Sequence, residues 1–473
     1  MLTADQLPSI IQGGMGAAVS SWPLARAVSR SGQLGVVSGV ALDLVLARRL
    51  QDGDPGGHIR RALAAFPERA MVDRVLTRYL LVDGRPDGTP YAPVPRLTVA
   101  PQPTTTELVV LGAFVEVHLA KEGHDGLIGI NLLEKIQLST PATLLGAMIA
   151  GVDVVLMGAG VPREIPRTLD LLAAGAPVAF PIDVDGAPAG SVTLDLDPRA
   201  IMGDDLPVLT RPVFLAIISA HVLGAFLARD EEIRPDGFVV EAPPAGGHNA
   251  PARKPVIEDG ELVFGPRDEP DVAKIDALGL PFWVAGAAGT PEALRSALDQ
   301  GAKGVQVGTV FALSSDSGLT DDIRDRLLEG IRDDSLHVRT DPLASPTGFP
   351  FKVAELDGTM SDPAVSAERE RLCDLGFLRQ PYLRPDEQVG YRCPAEPAAM
   401  YAKKSGDPEE TAGRACICNG LTATVGLGQT RRDGYREIPI VTLGADTAGA
   451  RRLLERHPEG WDAPQVVDWL LSV

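Results

Sequence analysis

The sequence is short of positive charge for its length of 473 residues. It has 44 Lys and Arg residues against 63 Asp and Glu residues, which gives a formal net charge of −19. Proteins that bind nucleic acid neutralise its phosphates with clusters of lysine and arginine, and no such cluster of note is present. The composition therefore argues against a nucleic-acid-binding protein. We interpret the acidic balance as a contribution to solubility.

Long hydrophobic runs are missing as well. Every apolar stretch is interrupted before the roughly 18 residues that a membrane-spanning helix needs. The first residues, MLTADQLPSIIQGG, lack the basic segment and apolar core of a secretory signal. We therefore expect a cytoplasmic protein without a membrane partner, and free thiols rather than disulfides. A G-x-G-x-x-G dinucleotide fingerprint after a strand is also absent.

Short apolar runs instead alternate with amphipathic helical patterns over about 310 residues, and this alternation predicts the fold. Strands that are apolar throughout, separated by helices, indicate a parallel sheet covered on both faces. Eight such units predict an α/β protein with a (β/α)₈ TIM barrel; an open doubly wound sheet is the alternative. The stretch 212–229 reads as one long helix. The eight predicted strands are 9–14, 33–39, 126–133, 152–160, 177–184, 237–242, 281–286 and 304–311.

Two stretches exceed the βα rhythm, and the alternation stops near residue 335. We predict a barrel over residues 1–335 with rim insertions at about 51–125 and 183–210. Residues 336–473 would form a C-terminal cap or extension, which contains all four cysteines: Cys373, Cys393, Cys416 and Cys418. Four thiolates can hold a zinc ion or an iron–sulfur cluster, but the spacing lacks a second close pair, so free thiols are the expected state.

The ends of the predicted strands are rich in glycine, which matters because barrel chemistry lies where strands meet the following loops. The turns at 285–289 and 306–309 each lead into a predicted helix, an arrangement whose backbone amides suit a phosphate. The stretch 241–251, EAPPAGGHNAP, adds a histidine behind two glycines that let the backbone approach a ligand. These features predict a cofactor that carries a phosphate, with His248 beside it.

Five motifs in the same order resemble the FMN-dependent nitronate monooxygenases (2-nitropropane dioxygenases) and the related flavin-dependent enoyl-acyl-carrier-protein reductases. The motifs are IIQGGMG, GINL, AGGH, VAGAAGTPEAL and GVQVGT. The resemblance covers roughly residues 8–315. It implies FMN as cofactor and His248 as a catalytic acid, base or hydrogen-bond donor beside the flavin. It also implies that the residues that line or hold FMN are Gly14, Met15, Gly16, Asn131, Glu241, Gly246, Gly247, Gly286, Ala287, Gln306, Gly308 and Thr309.

Three positions depart from the family pattern. No histidine follows the predicted fourth strand, where the monooxygenase branch usually has one; Glu241 replaces a usual glutamine, and Ala287 replaces a glycine. The first departure favours reduction of an α,β-unsaturated acyl thioester, free or on an acyl carrier protein, with hydride from NAD(P)H. Oxidation of alkyl nitronates with O₂ is the alternative, and a non-catalytic flavin-binding or assembly component is a third. The oligomeric state is left open.

Two residues are given structural roles at this stage. His221 lies within the apolar stretch 212–229 and is interpreted as a core histidine. Lys352 follows the aromatic residues of SPTGFPFKVAEL and is expected to be solvated.

Overall fold

The computed structural model describes residues 2–472. The strands, in chain order, are β1 Ile10–Gln12, β2 Gly35–Ser38, β3 Ile128–Leu133, β4 Val154–Gly158, β5 Val178–Pro181, β6 Thr193–Leu196, β7 Val213–Ile218, β8 Gly237–Glu241, β9 Val256–Glu258, β10 Glu261–Val263, β11 Phe282–Ala285, β12 Gly304–Val307, β13 Val338–Asp341, β14 Phe351–Ala354, β15 Gln380–Leu383 and β16 Val389–Arg392. The α-helices are α1 Trp22–Arg30, α2 Leu42–Gln51, α3 His58–Ala64, α4 Arg69–Tyr79, α5 Pro103–Lys121, α6 Thr140–Ile149, α7 Ile165–Ala173, α8 Pro198–Met202, α9 His221–Arg229, α10 Val272–Asp276, α11 Pro291–Asp299, α12 Thr309–Ala312, α13 Asp321–Arg332, α14 Pro363–Glu368, α15 Ala398–Lys403, α16 Ile417–Ala423, α17 Ala448–Arg456 and α18 Ala463–Leu470.

Eight of these strands form one parallel sheet in the order β1-β12-β11-β8-β7-β4-β3-β2. The two ends of this order meet at Leu34. Its amide donates to the carbonyl of Ile10 at 3.1 Å, and its carbonyl accepts from the amide of Gln12 at 2.9 Å. These bonds close the sheet, so the prediction of a (β/α)₈ barrel is confirmed and the open sheet is excluded.

Alternate residues of the barrel strands face opposite sides of the sheet, which produces two hydrophobic clusters. The cluster inside the barrel includes Ile11, Val36, Leu156, Val239 and Trp283. The larger cluster fills the space between the strands and the helices. The inward residues at the carboxyl ends of the strands therefore form the floor of the barrel mouth.

The helix α5 is buried between α2 and α6 and belongs to the region where we expected a rim insertion. Two glycines allow the close helix packing. A β-carbon on Gly112 would lie 2.5 Å from the Leu42 carbonyl oxygen, and one on Gly146 would lie 2.1 Å from that of Val110. Either substitution would force the helices apart.

The predicted fifth strand is wrong. Residues Val178–Pro181 pair antiparallel with Thr193–Leu196 in a hairpin outside the barrel. The fifth barrel strand is β7, which pairs parallel with β4 and β8 and occupies the first part of the stretch read as one helix. The hairpin strand alternates between buried and exposed residues, whereas a barrel strand is covered on both faces. A two-residue turn, Ser219–Ala220, separates β7 from α9.

The C-terminal segment, residues 336–472, packs onto the barrel through its helices and loops. The indole nitrogen of Trp461 donates to the Val310 carbonyl at 2.7 Å, and α18 contacts α1 and α11. Within the segment, the guanidinium of Arg369 pairs with Glu437 at 2.6 Å, with both side chains almost fully buried. No helix within residues 2–472 is long and apolar enough to cross a membrane.

Candidate active site at the barrel mouth

A cavity of about 260 Å³ opens at the carboxyl ends of the barrel strands. We call it the main cavity. All thirteen residues predicted from the sequence as catalytic or cofactor-binding line it. Loops after seven of the barrel strands contribute, as do residues from the C-terminal segment. The structure therefore brings the predicted residues together, while their roles toward a cofactor stay predictions.

The glycine turn after β1 is held in shape by the hydroxyl of Ser20. This oxygen donates to the Gly13 carbonyl and accepts from the Met15 amide, both at 3.0 Å, and it also accepts from the side-chain amide of Gln12 at 2.9 Å. Gly16 adopts a φ of +54°, in the left-handed region that favours glycine. The turn is thus fixed from within and presents its backbone to the main cavity.

Two side-chain amides at the barrel mouth have an oxygen without a partner. Asn131 Oδ1 and Gln306 Oε1 are buried, and within residues 2–472 neither accepts a hydrogen bond. Buried polar atoms are nearly always paired, so two orphaned amides on one cavity indicate a ligand that pairs with them. The pyrimidine edge of an isoalloxazine ring carries both donors and acceptors and fits this pair.

The turns after β11 and β12 provide backbone donors on the same cavity. Within residues 2–472, the amides of Ala287, Gly289, Gly308 and Thr309 donate to no backbone or side-chain acceptor. Free amides grouped in this way suit a phosphate, and no cation is required. This donor set, with the orphaned amides, fits FMN.

Three alanines that line the main cavity have left-handed backbone conformations: Ala41 with φ of 56°, Ala159 with 58° and Ala287 with 54°. Non-glycine residues pay a steric cost in this region, and such strain concentrates at functional sites. Ala287 is the residue that replaces the family's glycine. The turn keeps its glycine-like shape despite the substitution.

His248 lies in the loop after β8 and is clamped by the strand β14. The amide of Asn249 donates to the Pro350 carbonyl and that of Lys352 donates to the Gly247 carbonyl, each at 2.9 Å. The imidazole packs edge-on against the Phe351 ring with centroids 4.9 Å apart, and Nε2 lies 2.7 Å from the Ser345 hydroxyl. Burial, with a smaller effect from the nearby Lys135 ammonium, lowers the pKa of His248 to about 4. The ring is therefore neutral at pH 7.

Glu241 is the last residue of β8. It pairs in register with Ala285 of β11, which pairs in register with Gln306 of β12, so the three residues lie in one layer of the barrel. Burial raises the pKa of Glu241 to about 8, and the Lys352 ammonium opposes this rise. Lys352 is 3% exposed, so the expectation that it is solvated is wrong. The signal was available, because Phe351 and Val353 on both sides of it are apolar and typical of a buried strand.

The C-terminal segment completes the main cavity, which the sequence did not indicate. The amide of Gly247 donates to Thr442 Oγ1 at 2.9 Å, and that of Gly444 donates to Thr309 Oγ1 at 3.1 Å. A β-carbon on Gly246 would lie 2.8 Å from the Leu443 carbonyl carbon, so this glycine is needed for the close approach. These contacts join the loops after β8 and β12.

The same segment supplies an apolar wall, which we define as Phe377, Leu378, Ile417 and Leu421. Cys418 lies beside this wall, and burial raises the pKa of its thiol. All four cysteines are free. Within residues 2–472, no group of three or more His, Cys, Asp or Glu side chains is arranged to hold a metal ion.

The remaining histidine candidate lies elsewhere. His221 is the first residue of α9 rather than the middle of a helix, and it does not line the main cavity. Within residues 2–472, His248 is the one histidine on that cavity, and the loop after β4 contains none.

The middle part of the chain, residues 184–341, matches the family model described as nitronate monooxygenase. This part of the chain is similar to the nitronate monooxygenases. This match confirms the resemblance found in the sequence and assigns the chain to a class of flavin-dependent oxidoreductases. No curated protein matches the chain.

Three solved structures are similar in shape to this chain. FabK from Thermotoga maritima has 15% identity and a TM-score of 0.49, over 98% of this chain and 91% of that chain. A nitroalkane oxidase from Streptomyces ansochromogenes has 15% identity and a TM-score of 0.47, over 98% and 94%. The enoyl reductase domain of MlnA, from the macrolactin biosynthesis cluster of Bacillus amyloliquefaciens, has 12% identity and a TM-score of 0.47, over 98% and 92%.

Proposed function

We propose that the protein is an FMN-dependent reductase of α,β-unsaturated acyl thioesters that takes hydride from NAD(P)H. The observation that carries this proposal is the apolar wall, Phe377, Leu378, Ile417 and Leu421, on the main cavity. A hydrocarbon chain gains about 0.8 kcal/mol for each CH₂ group that it buries, whereas a small nitronate anion gains little from such a surface. The thioester would belong to coenzyme A or to an acyl carrier protein.

The residues of the main cavity would contact two parts of FMN, the isoalloxazine ring and the phosphate with its ribityl chain. Asn131 and Gln306 would pair with the polar edge of the isoalloxazine ring, since their amide oxygens lack partners within residues 2–472. The backbone of Gly286, Ala287, Gly308 and Thr309 would hold the phosphate and ribityl chain. The chemistry that a bound FMN supplies is hydride transfer between NAD(P)H and the substrate.

His248 would orient the substrate through its carbonyl oxygen. The Ser345 hydroxyl lies 2.7 Å from Nε2, and donation from this hydroxyl places the ring proton on Nδ1. A neutral imidazole with its proton on Nδ1 is a hydrogen-bond donor to the thioester carbonyl. Gly14, Gly16, Gly246 and Gly247 would let the backbone approach the ring without a side chain between them, and Met15 would line the ring.

Oxidation of alkyl nitronates with O₂ is the second candidate. It is favoured by the match of residues 184–341 to the nitronate monooxygenase family. Against it stands the loop after β4, Gly158–Pro162, which has no histidine. A protein that keeps the fold as a non-catalytic flavin-binding component is the third candidate.

The deciding experiment uses the full chain, purified and reconstituted with FMN. Under anaerobic conditions, we expect NADPH or NADH to bleach the flavin absorbance and enoyl-coenzyme A thioesters to restore it, with kcat/KM rising as the acyl chain lengthens. Bleaching by an alkyl nitronate but by neither nicotinamide would instead support nitronate oxidation. A protein that cannot bind FMN would exclude both enzymatic candidates.

A further inference from the structure

Glu241 lies between two cavities. The residue lines the main cavity and also a second cavity of about 60 Å³. Within residues 2–472, no hydrogen bond to its carboxyl group accompanies the burial. Residues with polar side chains, Ser219, Asn249, Arg253 and Asp268, also line the second cavity. A carboxyl group that bridges a polar cavity and a reaction cavity is placed to move a proton between them.

Lys352 is the cation that faces this carboxyl group. It projects from β14, its ammonium donates to Thr340 Oγ1, and it lies 5.2 Å from the centroid of the Phe264 ring. Phe264 itself lines the second cavity. Glu261 on β10 also acts on Lys352 and is bonded at 2.6 Å to Nε2 of His337. The charged groups around the pair are thus Glu261 and His337 beside Lys352, and Arg253 and Asp268 in the lining of the second cavity.

Burial sets the charge states of the groups near the main cavity. It lowers the pKa of Lys352 to about 8, while Glu261 and Glu241 oppose that change. The pKa of Glu241 is raised to about 8 and that of His248 is lowered to about 4. At pH 7 the carboxyl group of Glu241 is therefore protonated and the imidazole of His248 is neutral. Between these two residues, Glu241 is the acid.

We propose that Glu241 is the proton donor of the reaction, that the second cavity reloads it from solvent, and that Lys352 positions the carboxylate that remains. This inference rests on the proposed function. The hydride, derived from NAD(P)H, adds to the β-carbon of the enoyl thioester and the carbon–carbon π bond breaks. The electron pair moves to the α-carbon and thioester carbonyl, and the α-carbon takes the proton from the Glu241 carboxyl group. Water in the second cavity then returns a proton to the carboxylate.

The direct test is infrared difference spectroscopy of the full-length holoprotein over a pH titration. We expect a protonated-carboxyl band that disappears with a midpoint near pH 8 and is missing in Glu241→Gln. Lys352→Met should move the midpoint upward, because the ammonium favours the carboxylate. Glu258→Gln, on the exposed strand β9, is the matched control and should leave the band unchanged. A Glu241 carboxyl group that ionises near its ordinary pKa would overturn the proposal.

Kinetics separate this inference from the proposed function. In Glu241→Gln we expect product formation from an enoyl-coenzyme A thioester to slow by about 100-fold or more, as for loss of a general acid, and reduction of the bound flavin by NADPH to slow much less. In D₂O the wild type should show a solvent isotope effect on product formation, because the Glu241 carboxyl proton exchanges with solvent. Wild-type product formation in the variant would overturn the donor role alone. A wild-type protein that reduces no thioester would overturn the proposed function and the donor role together.

Discussion

Asn131 and Gly14 are packed so closely that any residue larger than glycine at position 14 would displace Asn131. A β-carbon on Gly14 would lie 2.3 Å from the Asn131 Cβ and 3.0 Å from its Cγ. Real β-carbons do not approach this near, so the asparagine at the end of β3 depends on a glycine in the turn after β1. The two residues come from motifs that lie more than one hundred positions apart in the sequence.

Gly14→Ala should weaken FMN binding strongly while the barrel stays folded. The added methyl group must displace Asn131, whose amide we assign to the polar edge of the flavin. We expect at least a tenfold rise in the FMN dissociation constant, equivalent to about 1.4 kcal/mol. Gly265→Ala is the control, because a β-carbon there meets nothing within 4 Å. Equal affinities for the two variants would contradict the assignment.

Asn131→Ala should leave the empty protein at least as stable as the wild type and should reduce the stabilisation that FMN adds. Within residues 2–472, the buried Oδ1 of Asn131 accepts no hydrogen bond. Its removal therefore relieves the cost of an unsatisfied buried polar group, about 1–3 kcal/mol, and this gain is reduced by the packing contacts that are lost. We expect the free energy of unfolding without FMN to stay level or rise. The stabilisation by added FMN should fall by a similar amount. A variant that loses stability equally with and without FMN would indicate a purely structural asparagine.

Ala287→Gly should stabilise the protein. The alanine has a φ of 54°, which costs it about 1 kcal/mol relative to glycine, although glycine loses more backbone entropy on folding. We expect a gain of about 0.5 kcal/mol in chemical denaturation. Ala288→Gly is the matched control and should lose about 0.5–1 kcal/mol, since Ala288 is buried and has no positive φ. A loss in both variants would show that the turn is not strained.

The protein should lose stability as the pH falls from about 6.5 to 4, in part through His248. Its pKa is lowered to about 4 in the folded state against 6.5 when unfolded, so the unfolded chain takes up a proton first across this range. The full effect is about 3 kcal/mol by the usual conversion. His248→Gln should flatten this part of the curve of unfolding free energy against pH, with the two proteins compared from pH 8 downward. Parallel curves would contradict the burial of a neutral imidazole.

Glu437→Gln should destabilise the C-terminal segment. Glu437 is 1% exposed at its side chain and pairs with Arg369, which is 4% exposed. A buried cation that loses its partner costs about 3–5 kcal/mol. Glu370→Gln is the control, because that side chain is 76% exposed where it meets Arg431. Thermal melts of the two variants, followed at the tryptophans, should differ clearly, and similar melting temperatures would show that water replaces the lost carboxylate.

The barrel and the residues around its mouth could be predicted because the signals are local. Each strand end carries its glycines or amide in a short motif, and a closed barrel brings every strand end to the same place. The fifth strand was mistaken because VFLAII and the following helix are both apolar, and only the Ser219–Ala220 turn separates them. A proline-flanked run, PVAFPIDV, resembled a barrel strand more than the hairpin strand that it forms.

The C-terminal contribution could not be predicted from local patterns. Nothing in the sequence around Thr442 or Leu443 indicates that they meet Gly246 and Gly247, nearly two hundred residues earlier. Lys352 could have been placed from its apolar neighbours, but its relation to Glu241 depends on the packing of β14 over the loop after β8. The roles assigned to the residues of the main cavity stay predictions until FMN binding is measured.

The contacts that close the main cavity also determine when the cavity becomes complete during synthesis of the chain. A chain leaves the ribosome from its first residue onward, so the barrel strands are available long before residues 442–449. The Gly444 amide donates to Thr309 Oγ1, and Gly449 packs against Gly289. One side of the main cavity is therefore formed by residues that are synthesised after the whole barrel. We therefore expect a nascent chain that ends near residue 340 to hold a barrel whose mouth is open to water, and flavin capture to follow the synthesis of residues 442–449.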